Sequence, residues 1–390
     1  MFVTVSSTAA RLSSVLVAAA LLLAVVACRK EATVPANNFA ALPLVVVAPA
    51  NNANSPAKIA LGQALFWDPV LSGAKDVSCA SCHHPANGYA DGLDLAIGVN
   101  GQGLGTARRF RSPNTIPFGQ RNTQTVLNTA FNGLTAAGAG DPALASMFWD
   151  GRAKSLETQS VMPVATLEEM RGHQYAEGVA LDSVVVRLRR IPAYATLFSA
   201  AFAEATPVTA TNIGKAIACF ERTLVGTDSR FDQYQRGNQA ALSTQEIAGL
   251  NAFVASGCAK CHSGPMLSDY QLHVLGVADN SKNATSDTGA NGTYAFRTPS
   301  LRNVALTAPY MHSGTLANLQ AVMNFYDPGR GAAPSANPHV SVSQRDPLFP
   351  GQVTDAAAII AFLGTLTATT YDRTVPTAVP SGLPVGGNIR

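Results

Sequence analysis

Apolar residues recur at intervals of three and four along several stretches of the chain, the spacing of a helix that buries one side. Ile213, Ile217 and Phe220 follow this spacing and predict a helix from about residue 212 to residue 224. Further stretches of this kind are residues 181–188, 193–202, 247–254 and 359–366. The period-two alternation of half-buried strands is nearly absent. The pattern therefore predicts a mainly α-helical protein.

Capping residues mark the start of three predicted helices. Ser55 precedes Pro56, which is the order of an N-cap followed by a proline in the first turn. Ser243 and Glu246 have the S-x-x-E spacing of a capping box, in which each side chain accepts from the backbone of the other residue. Thr354 is the predicted cap of the last helix.

Residues 85–124 have no helical pattern and are crowded with Gly, Asn and Arg. A loop of this length inside a compact domain is usually functional.

The chain has 390 residues, which is enough for two or three domains, and 47% of them are hydrophobic. Its formal charge of +3, without any basic run, excludes nucleic acid as an expected partner.

The motif C-x-x-C-H occurs twice, as Cys79, Cys82 and His83 and again as Cys258, Cys261 and His262. This is the attachment signature of c-type haem, in which both thiols bond to the porphyrin and the histidine binds iron. With six Cys and seven His in the chain, one accidental match is expected about 0.002 times. The motifs therefore predict two covalent c-type haems.

Other chemistries also use closely spaced cysteines. A redox dithiol expects a βαβ context and leaves the repeated histidine unexplained. A single Cys₄ or Cys₃His zinc site would draw ligands from two copies that lie far apart in sequence. Haem is the preferred interpretation. Cys219 lies within an apolar helical stretch and is predicted to be an inert core thiol.

The first 28 residues predict an export signal. Arg11 precedes an apolar run over residues 15–27, which suits a secretory h-region and is too short to span a membrane. The run ends at Cys28, as in a bacterial lipoprotein signal; an ordinary signal peptide is the alternative. Residues 29–50 would form a linker. Because c-type haem is attached outside the cytoplasm, we expect a periplasmic or envelope protein whose membrane contact is a lipid on Cys28.

Three segments besides the two motifs resemble the bacterial di-haem cytochrome c peroxidase superfamily, and within it the methylamine-utilisation (MauG-like) branch. They are residues 148–152 (FWDGR), 297–303 (RTPSLRN) and 307–312 (TAPYMH). The resemblance covers about residues 55–372. It implies two cytochrome c-like haem domains with long functional loops. These would be an N-terminal peroxide-reactive domain over 51–215, a C-terminal electron-transfer domain over 216–373, and an extended tail over 374–390.

By this resemblance, His83 is the proximal ligand of the peroxide-reactive haem. Members of the peroxidase branch carry a second histidine about sixteen residues later, which must leave the iron before peroxide binds. Residues 97–100 of this chain contain no histidine. His84 adjoins His83 and cannot reach the opposite face of the ring. The resemblance therefore implies a first iron with one face open to peroxide.

The resemblance also places a peroxide pocket between Trp149 and Met170. Glu169 would be the acid–base carboxylate that takes a proton from one peroxide oxygen and returns it to the other. Its neighbour Glu168 is the competing candidate. Gln159 would hydrogen-bond the bound peroxide, and Trp149 would relay electrons between the haems. Pro163 would limit access to the pocket.

His262 would be the proximal ligand of the second haem, and the identity of its other axial ligand is informative. Electron-accepting peroxidases have a methionine fourteen residues after the histidine that matches His312. That count reaches Tyr326 in this chain, with Met323 one helical turn away as the rival ligand. Thioether sulfur raises a haem potential, whereas a phenolate lowers it. Tyr326 would therefore favour an iron that holds an oxidising equivalent.

A calcium ion lies between the domains in this superfamily. The matching ligands would be the Asn122 side chain and the backbone carbonyls of Thr307 and Pro309, and such oxygen donors suit this cation. Alternatively, Asn122 caps a turn. His312 is expected to pack near the interface through a structural hydrogen bond.

The resemblance implies an enzyme that reduces hydrogen peroxide to water with electrons from a small cytochrome or another envelope donor. One alternative is a MauG-like, peroxide-dependent oxidase that acts on a residue of a partner protein through a high-valent state shared by both irons. A second alternative is a non-catalytic di-haem electron carrier. The missing histidine and Tyr326 favour the MauG-like mechanism, but no feature names a partner protein.

Overall fold

Helices and irregular segments make up most of the chain in the computed structural model, which describes residues 39–135, 137–327, 337–349 and 352–390. The predicted signal over residues 1–28, with Cys28, and the first part of the linker lie outside these ranges. The described part of the predicted linker contacts a distant part of the chain. The Leu42 N–H donates to Asp232 Oδ1 at 2.8 Å, and the Phe39 ring lies 6.1 Å from that of Phe231.

The helices within these ranges are α1 (Pro56–Trp67), α2 (Cys79–Cys82), α3 (Leu156–Gln159), α4 (Met162–Ala165), α5 (Glu177–Arg189), α6 (Pro192–Ala201), α7 (Ala210–Glu221), α8 (Arg230–Gln235), α9 (Thr244–Ala255), α10 (Leu319–Tyr326) and α11 (Ala356–Gly364). A π-helical turn covers Leu167–Arg171. The prediction of a mainly helical fold is confirmed. Within the ranges described, no helix has both the length and the apolar content that crossing a bilayer requires.

Within the described ranges, strands are confined to three short antiparallel pairs. They pair β1 (Gly101–Gln102) with β2 (Arg109–Phe110), β3 (Ser146–Met147) with β4 (Ala153–Lys154), and β5 (Leu272–His273) with β6 (Phe296–Arg297). Residues 85–124 otherwise contain only short 3₁₀ turns and irregular backbone. The predicted long loop is therefore confirmed.

Two of the three predicted helix caps are confirmed. The Ser55 side chain accepts from the backbone of α1, and Ser243 forms a capping box with Glu246 at the start of α9. The third prediction was wrong by one residue. Asp355 caps α11 and accepts from the Ala358 N–H at 3.0 Å. The Thr354 hydroxyl instead bonds to the end of α9, because the chain passes close to that helix.

A close helix crossing occurs twice in the fold, each time with the helix that precedes a C-x-x-C-H motif. Gly62 of α1 lies against α7, where an added Cβ would come 2.0 Å from the Ala216 carbonyl oxygen. Gly249 of α9 meets α11 in the same way, at 1.9 Å from the Ala358 carbonyl oxygen. A phenylalanine follows one turn later on each partner helix (Phe220 and Phe362). Backbones approach this closely only where one residue lacks a side chain.

The crossing of α1 and α7 bears on the predicted domain boundary. Helix α7 runs unbroken through residues 215 and 216, and its buried positions include Ile213, Ile217 and Phe220. Phe220 packs edge-on against Phe66 of α1, with the ring centroids 5.2 Å apart. Helix α7, which crosses the predicted boundary, therefore packs against α1, the helix that precedes the first motif. The division into two haem domains stays a prediction.

Residues 374–390 have neither helix nor strand, but they pack against the first half of the chain. Ser381 donates through its backbone and its hydroxyl to Asp68. The Gly386 N–H donates to the Trp67 carbonyl at 2.8 Å, and the Gly386 carbonyl accepts from the Ser81 hydroxyl at 2.8 Å. Ser81 lies inside the first C-x-x-C-H motif, so the tail closes over that motif.

We expect Gly62→Ala to lower the free energy of unfolding by about 2 kcal/mol, because the new methyl group would overlap the Ala216 carbonyl of α7. Denaturant unfolding of the haem-loaded protein measures this change. Gly178→Ala is the matched control, since nothing lies within 4 Å of its added Cβ. Equal stabilities of the two variants would contradict the proposed tight crossing.

Candidate functional site

One cavity, of about 690 Å³, receives side chains from both C-x-x-C-H motifs. The residues that line it include every site candidate from the sequence: Cys79, Cys82, His83, Asn122, Trp149, Gln159, Glu169, Cys258, Cys261, His262, Thr307, Pro309, Met323 and Tyr326. Residues nearly 250 positions apart in sequence therefore meet around one space.

The first motif consists of a single helical turn and its exit. Helix α2 begins after Ser78, whose backbone N–H donates to the Ser81 hydroxyl at 3.0 Å. The His83 N–H donates to the Cys79 carbonyl at 2.8 Å, which keeps the imidazole beside the two thiols. His83 Nδ1 lies 3.2 Å from the Tyr89 carbonyl oxygen. Burial lowers the pKa of His83 to about 4, so the ring is neutral.

The second motif repeats this arrangement with different surroundings. It follows α9 through Gly257, whose φ of +83° turns the chain into a 3₁₀ turn over Cys258–Lys260. His262 Nδ1 lies 2.9 Å from the Leu267 carbonyl oxygen, and burial lowers the pKa of His262. A carbonyl that accepts from Nδ1–H leaves Nε2 as the nitrogen that can bind a metal.

These observations fit two covalent haems. Each motif presents two thiols and one neutral imidazole to the same cavity. Each imidazole has its Nδ1 nitrogen beside a backbone carbonyl, the arrangement that orients a histidine ligand towards iron. Cys219 is fully buried and makes no disulfide, as the sequence predicted.

Glu169 lies on the π-helical turn Leu167–Arg171 and faces the cavity. A π-turn adds one residue to a helical turn, and such turns are frequent at functional sites. Burial raises the pKa of Glu169 to about 7, with a further increase from the charge of Glu168, while Arg152 opposes the shift. The carboxyl group can therefore take up or release a proton near neutral pH.

Gln159 and Pro163 line the same cavity from two short helices. Gln159 is the last residue of α3, and Pro163 lies in the first turn of α4. Helix α3 packs so closely on α7 that a Cβ added at Gly214 would come 2.3 Å from the Glu157 carbonyl oxygen. The structure thus brings together the amide, the proline and the carboxyl group of Glu169 around one space.

Trp149 lies in the turn between β3 and β4, and its indole Nε1 donates to the Asn122 carbonyl at 2.9 Å. Its ring meets His312 edge-on with centroids 6.4 Å apart. The His312 ring in turn stacks on Phe296, with centroids 3.6 Å apart and planes 11° apart. Burial lowers the pKa of His312 to about 4. These three rings form part of the cavity wall.

The sequence predicted a structural hydrogen bond for His312. The residue makes one through its backbone carbonyl and not through its Nε2 atom. The His312 carbonyl accepts from the Asn122 N–H at 2.7 Å. The Nε2 atom is buried and has no hydrogen-bond partner among the described residues. The ring therefore packs as an aromatic neighbour of Trp149.

Tyr326 and Met323 are both on α10 and both line the cavity. Burial raises the pKa of Tyr326, and the charges of Cys258 and Cys261 raise it further, so its hydroxyl lies near the second motif. Its ring packs against Phe325 and Phe349 with centroids 5.2 and 5.5 Å away. Both residues thus stay candidates for the axial ligand.

Sequence reasoning missed Glu221, the last residue of α7. Its side chain lines the cavity and is 3% exposed, and its Oε2 atom has no hydrogen-bond partner among the described residues. Burial raises the pKa of Glu221 to about 8, while Arg222 opposes the shift. Arg222 itself pairs with Glu157 at 2.7 Å. The available signal was position, since residue 221 follows Ile217 by four on the apolar side of the helix.

The sequence assigned no role to His273, which the structure places beside the second motif. Its two ring nitrogens lie 3.0 Å from Asp269 and 2.6 Å from Asp346. Hydrogen bonds to Asp269, Cys261 and Asp346 raise the pKa of His273 to about 11, so the ring is a cation. The imidazolium joins the segment of Asp346 to the pair of β5 and β6.

Two thiol–imidazole motifs around one cavity define the class of c-type proteins that carry two haems. A family model described as di-haem cytochrome c peroxidase matches residues 56–240. The chain is 35% identical over 333 residues to the methylamine utilization protein MauG of Methylorubrum extorquens, and the match covers 84% of this chain and 83% of the relative. The chain belongs to the di-haem cytochrome c peroxidase family. It is an oxidoreductase, and the prediction of two c-type haems agrees with its family.

MauG proteins and bacterial cytochrome c peroxidases resemble this chain at similar sequence identity. The cytochrome c551 peroxidase of Pseudomonas aeruginosa is 35% identical over 288 residues, which cover 70% of this chain and 73% of that protein. A crystal structure of a MauG-like protein associated with microbial copper homeostasis is 27% identical, has a TM-score of 0.66, and covers 84% of this chain and 95% of that one. The diheme peroxidase BthA from Burkholderia thailandensis, at 24% identity and a TM-score of 0.61, shares the fold. It covers 89% of this chain and 94% of that chain.

Proposed function

We propose that the chain reduces hydrogen peroxide to water, with electrons from a small cytochrome or another donor in the cell envelope. The observation that carries this proposal is the position of Glu169. Its carboxyl group, whose burial raises the pKa to about 7, shares one cavity with the imidazole of His83. A group that titrates near neutral pH can serve as both base and acid.

The two motifs divide the work between two haem domains of cytochrome c type. The repeated helix crossings at Gly62 and Gly249 support this division, because each one buries the helix that precedes a motif. His83 would hold the haem whose iron supplies the chemistry of O–O cleavage. His262 would hold the second haem, which would supply electron exchange with the donor. The indole of Trp149 lines the cavity that both motifs share and serves as the electron relay.

Glu169 removes a proton from one oxygen of hydrogen peroxide and returns it to the other, which then leaves as water. The amide of Gln159 holds the peroxide in the pocket, and the ring of Pro163 narrows the approach to it. The overall reaction consumes two electrons from the donor and two protons from solvent for each peroxide, and it releases two water molecules. The residues thus provide the proton transfers and positioning that this reaction requires.

A peroxide-dependent oxidase that acts on a residue of a partner protein is the second candidate. It is favoured by the phenol of Tyr326 close to Cys258 and Cys261, and by similarity to MauG over most of the chain. Fast steady-state turnover with reduced small cytochromes would support the peroxidase. No such turnover, together with a fast single reaction with peroxide, would support the oxidase. Since the family consists of oxidoreductases, a non-catalytic electron carrier is set aside.

A calcium ion between the two motifs is part of the proposal. Asn122 Nδ2 donates to the Leu93 carbonyl at 2.8 Å, which leaves Oδ1 as the amide atom suited to a cation. Thr307 and Pro309 line the same cavity. Metal analysis of the purified protein should find about one calcium per chain, bound through oxygen ligands. Asn122→Ala should weaken its retention during chelation.

We also propose that the mature protein works in the periplasm and is held at the membrane by a lipid on Cys28. This proposal rests on the apolar run over residues 15–27 and on two motifs whose haem is attached after export. Mass spectrometry of the N-terminal peptide from native membranes distinguishes a lipidated Cys28 from the product of an ordinary signal peptidase.

Replacing Glu169 by Gln tests the acid–base role. We expect the rate of reaction with peroxide to fall by about 10²- to 10⁴-fold, because no proton acceptor remains in the pocket. The wild-type rate should rise with pH through about 7 and then level off, since Glu169 must be ionised to act as the base. Stopped-flow haem spectra measure both properties.

Glu168→Gln is the matched control for this experiment. It should keep the fast reaction and shift the pH dependence to lower pH, because the charge of Glu168 raises the pKa of Glu169. If Glu169→Gln reacts as fast as the wild type, Glu169 is not the acid–base group.

Replacing Tyr326 by Met should raise the reduction potential of the second haem, because a thioether ligand favours ferrous iron more than a phenolate does. Met323→Leu is the control and should leave that potential in place. Potentiometric titration followed by optical spectra measures both variants. A potential that moves in Met323→Leu but not in Tyr326→Met would assign the ligand to Met323.

A further inference from the structure

The backbone that carries Glu169 rests against a loop from a distant part of the chain, residues 97–103. The Val99 N–H donates to the Glu169 carbonyl at 3.1 Å. Gly98 lies so close that an added Cβ would come 2.2 Å from the carbonyl oxygens of both Glu168 and Glu169. On the other side, the Gly73 N–H donates to the Met170 carbonyl at 2.8 Å. The π-helical turn is therefore held between two chain segments.

Arg108 fixes this loop from inside. Its side chain is fully buried, and its guanidinium donates to the carbonyl oxygens of Ile97, Gly98 and Gly103, the last two at 2.8 and 2.9 Å. A guanidinium presents its donors in one rigid plane, so it sets the distance between the two ends of the loop. Gly101 must lack a side chain, because an added Cβ would lie 2.5 Å from Nη2 of Arg108.

Further contacts prevent the loop from moving as a whole. The Asn100 N–H donates to Asp76 Oδ2 at 2.9 Å, and the Gly103 N–H donates to the Asn388 carbonyl at 2.9 Å. Burial disfavours the charged guanidinium and so lowers the pKa of Arg108. Within the described residues, its side-chain hydrogen bonds go to backbone carbonyls. Such a buried cation is costly, and a lysine cannot reproduce its fork of donors.

We propose that Arg108 is the positioning residue for Glu169: through the loop 97–103 it holds the π-helical turn in register, and so aims the Glu169 carboxyl group into the cavity. This inference rests on the proposed function, in which Glu169 moves protons on peroxide. Gly98 and Val99 transmit the position, because they are the loop residues that touch the turn. A shift of about 1 Å in a reacting group can cost about 100-fold in rate.

The test uses the full, haem-loaded protein and two substitutions that reach the turn by different routes. Arg108→Lys keeps the positive charge but loses the fork, and Gly98→Ala pushes directly on the carbonyls of residues 168 and 169. We expect each to slow the reaction with peroxide by about 10- to 100-fold. We also expect the pH dependence to move below that of the wild type, as water reaches the carboxyl group.

Arg109→Lys and Gly178→Ala are the matched controls. Arg109 is exposed, and nothing lies within 4 Å of a Cβ added at Gly178. Both should keep the rate and the pH dependence of the wild type. A loss of stability alone would not shift the pH dependence, so this readout separates positioning from a general structural role.

Hydrogen exchange supplies a measurement that does not depend on turnover. In Arg108→Lys the amides of Val99, Met170 and Gly172 should exchange faster than in the wild type, while amides of α9 keep their protection. Unchanged exchange, rate and pH dependence in both Arg108→Lys and Gly98→Ala would overturn the positioning role. If these two variants behave as the wild type while Glu169→Gln is slow, only the positioning role fails; if Glu169→Gln is also fast, the acid–base role in the proposed function fails.

Discussion

The fold depends on holding two buried, neutral imidazoles in a fixed direction. Each Nδ1 lies beside a backbone carbonyl, that of Tyr89 for His83 and that of Leu267 for His262. A buried imidazole left without such a partner would lose both its favourable hydrogen bond and its orientation. Each carbonyl belongs to a loop five or six residues beyond its histidine, so each motif closes on itself before it contacts the rest of the chain. Burial lowers the pKa of both histidines and so keeps the rings uncharged.

The cavity that both motifs line links residues from distant parts of the chain. Its wall includes Trp149, His312 and Phe296, and the His312 ring contacts the rings of the other two. The indole and the His312 backbone both bond to Asn122, which also lines the cavity. A displacement of this residue would therefore reach the aromatic wall as well as the candidate cation site. This coupling does not require a conformational change, because the contacts that define the wall are packed rings and short hydrogen bonds.

Local signals in the sequence were sufficient for most of the longer helices and for locating the two C-x-x-C-H motifs, but not for short helices such as α8 and α10. The caps at Ser55 and Ser243, and the fixed spacing of each C-x-x-C-H motif, are determined within a few residues. Thr354 was taken for the cap that Asp355 provides, because both residue types suit an N-cap and only the backbone path chooses between them. Arg108 was missed because it lies in a loop without a periodic pattern, where nothing in the sequence marks a charged residue as buried. Glu221 had one signal, its position four residues after Ile217 on the apolar side of α7. The partners that surround them come from segments that only the tertiary fold brings near.

The closing of the tail over Ser81 has a consequence for the order in which the protein matures. The Gly386 carbonyl and the first motif, 305 positions apart, are neighbours only when the whole chain is present. Until residues 374–390 have packed, the thiols of Cys79 and Cys82 lack one side of their enclosure. A chain whose last residues have not yet packed therefore leaves the first motif more open to a reacting porphyrin than the folded chain does.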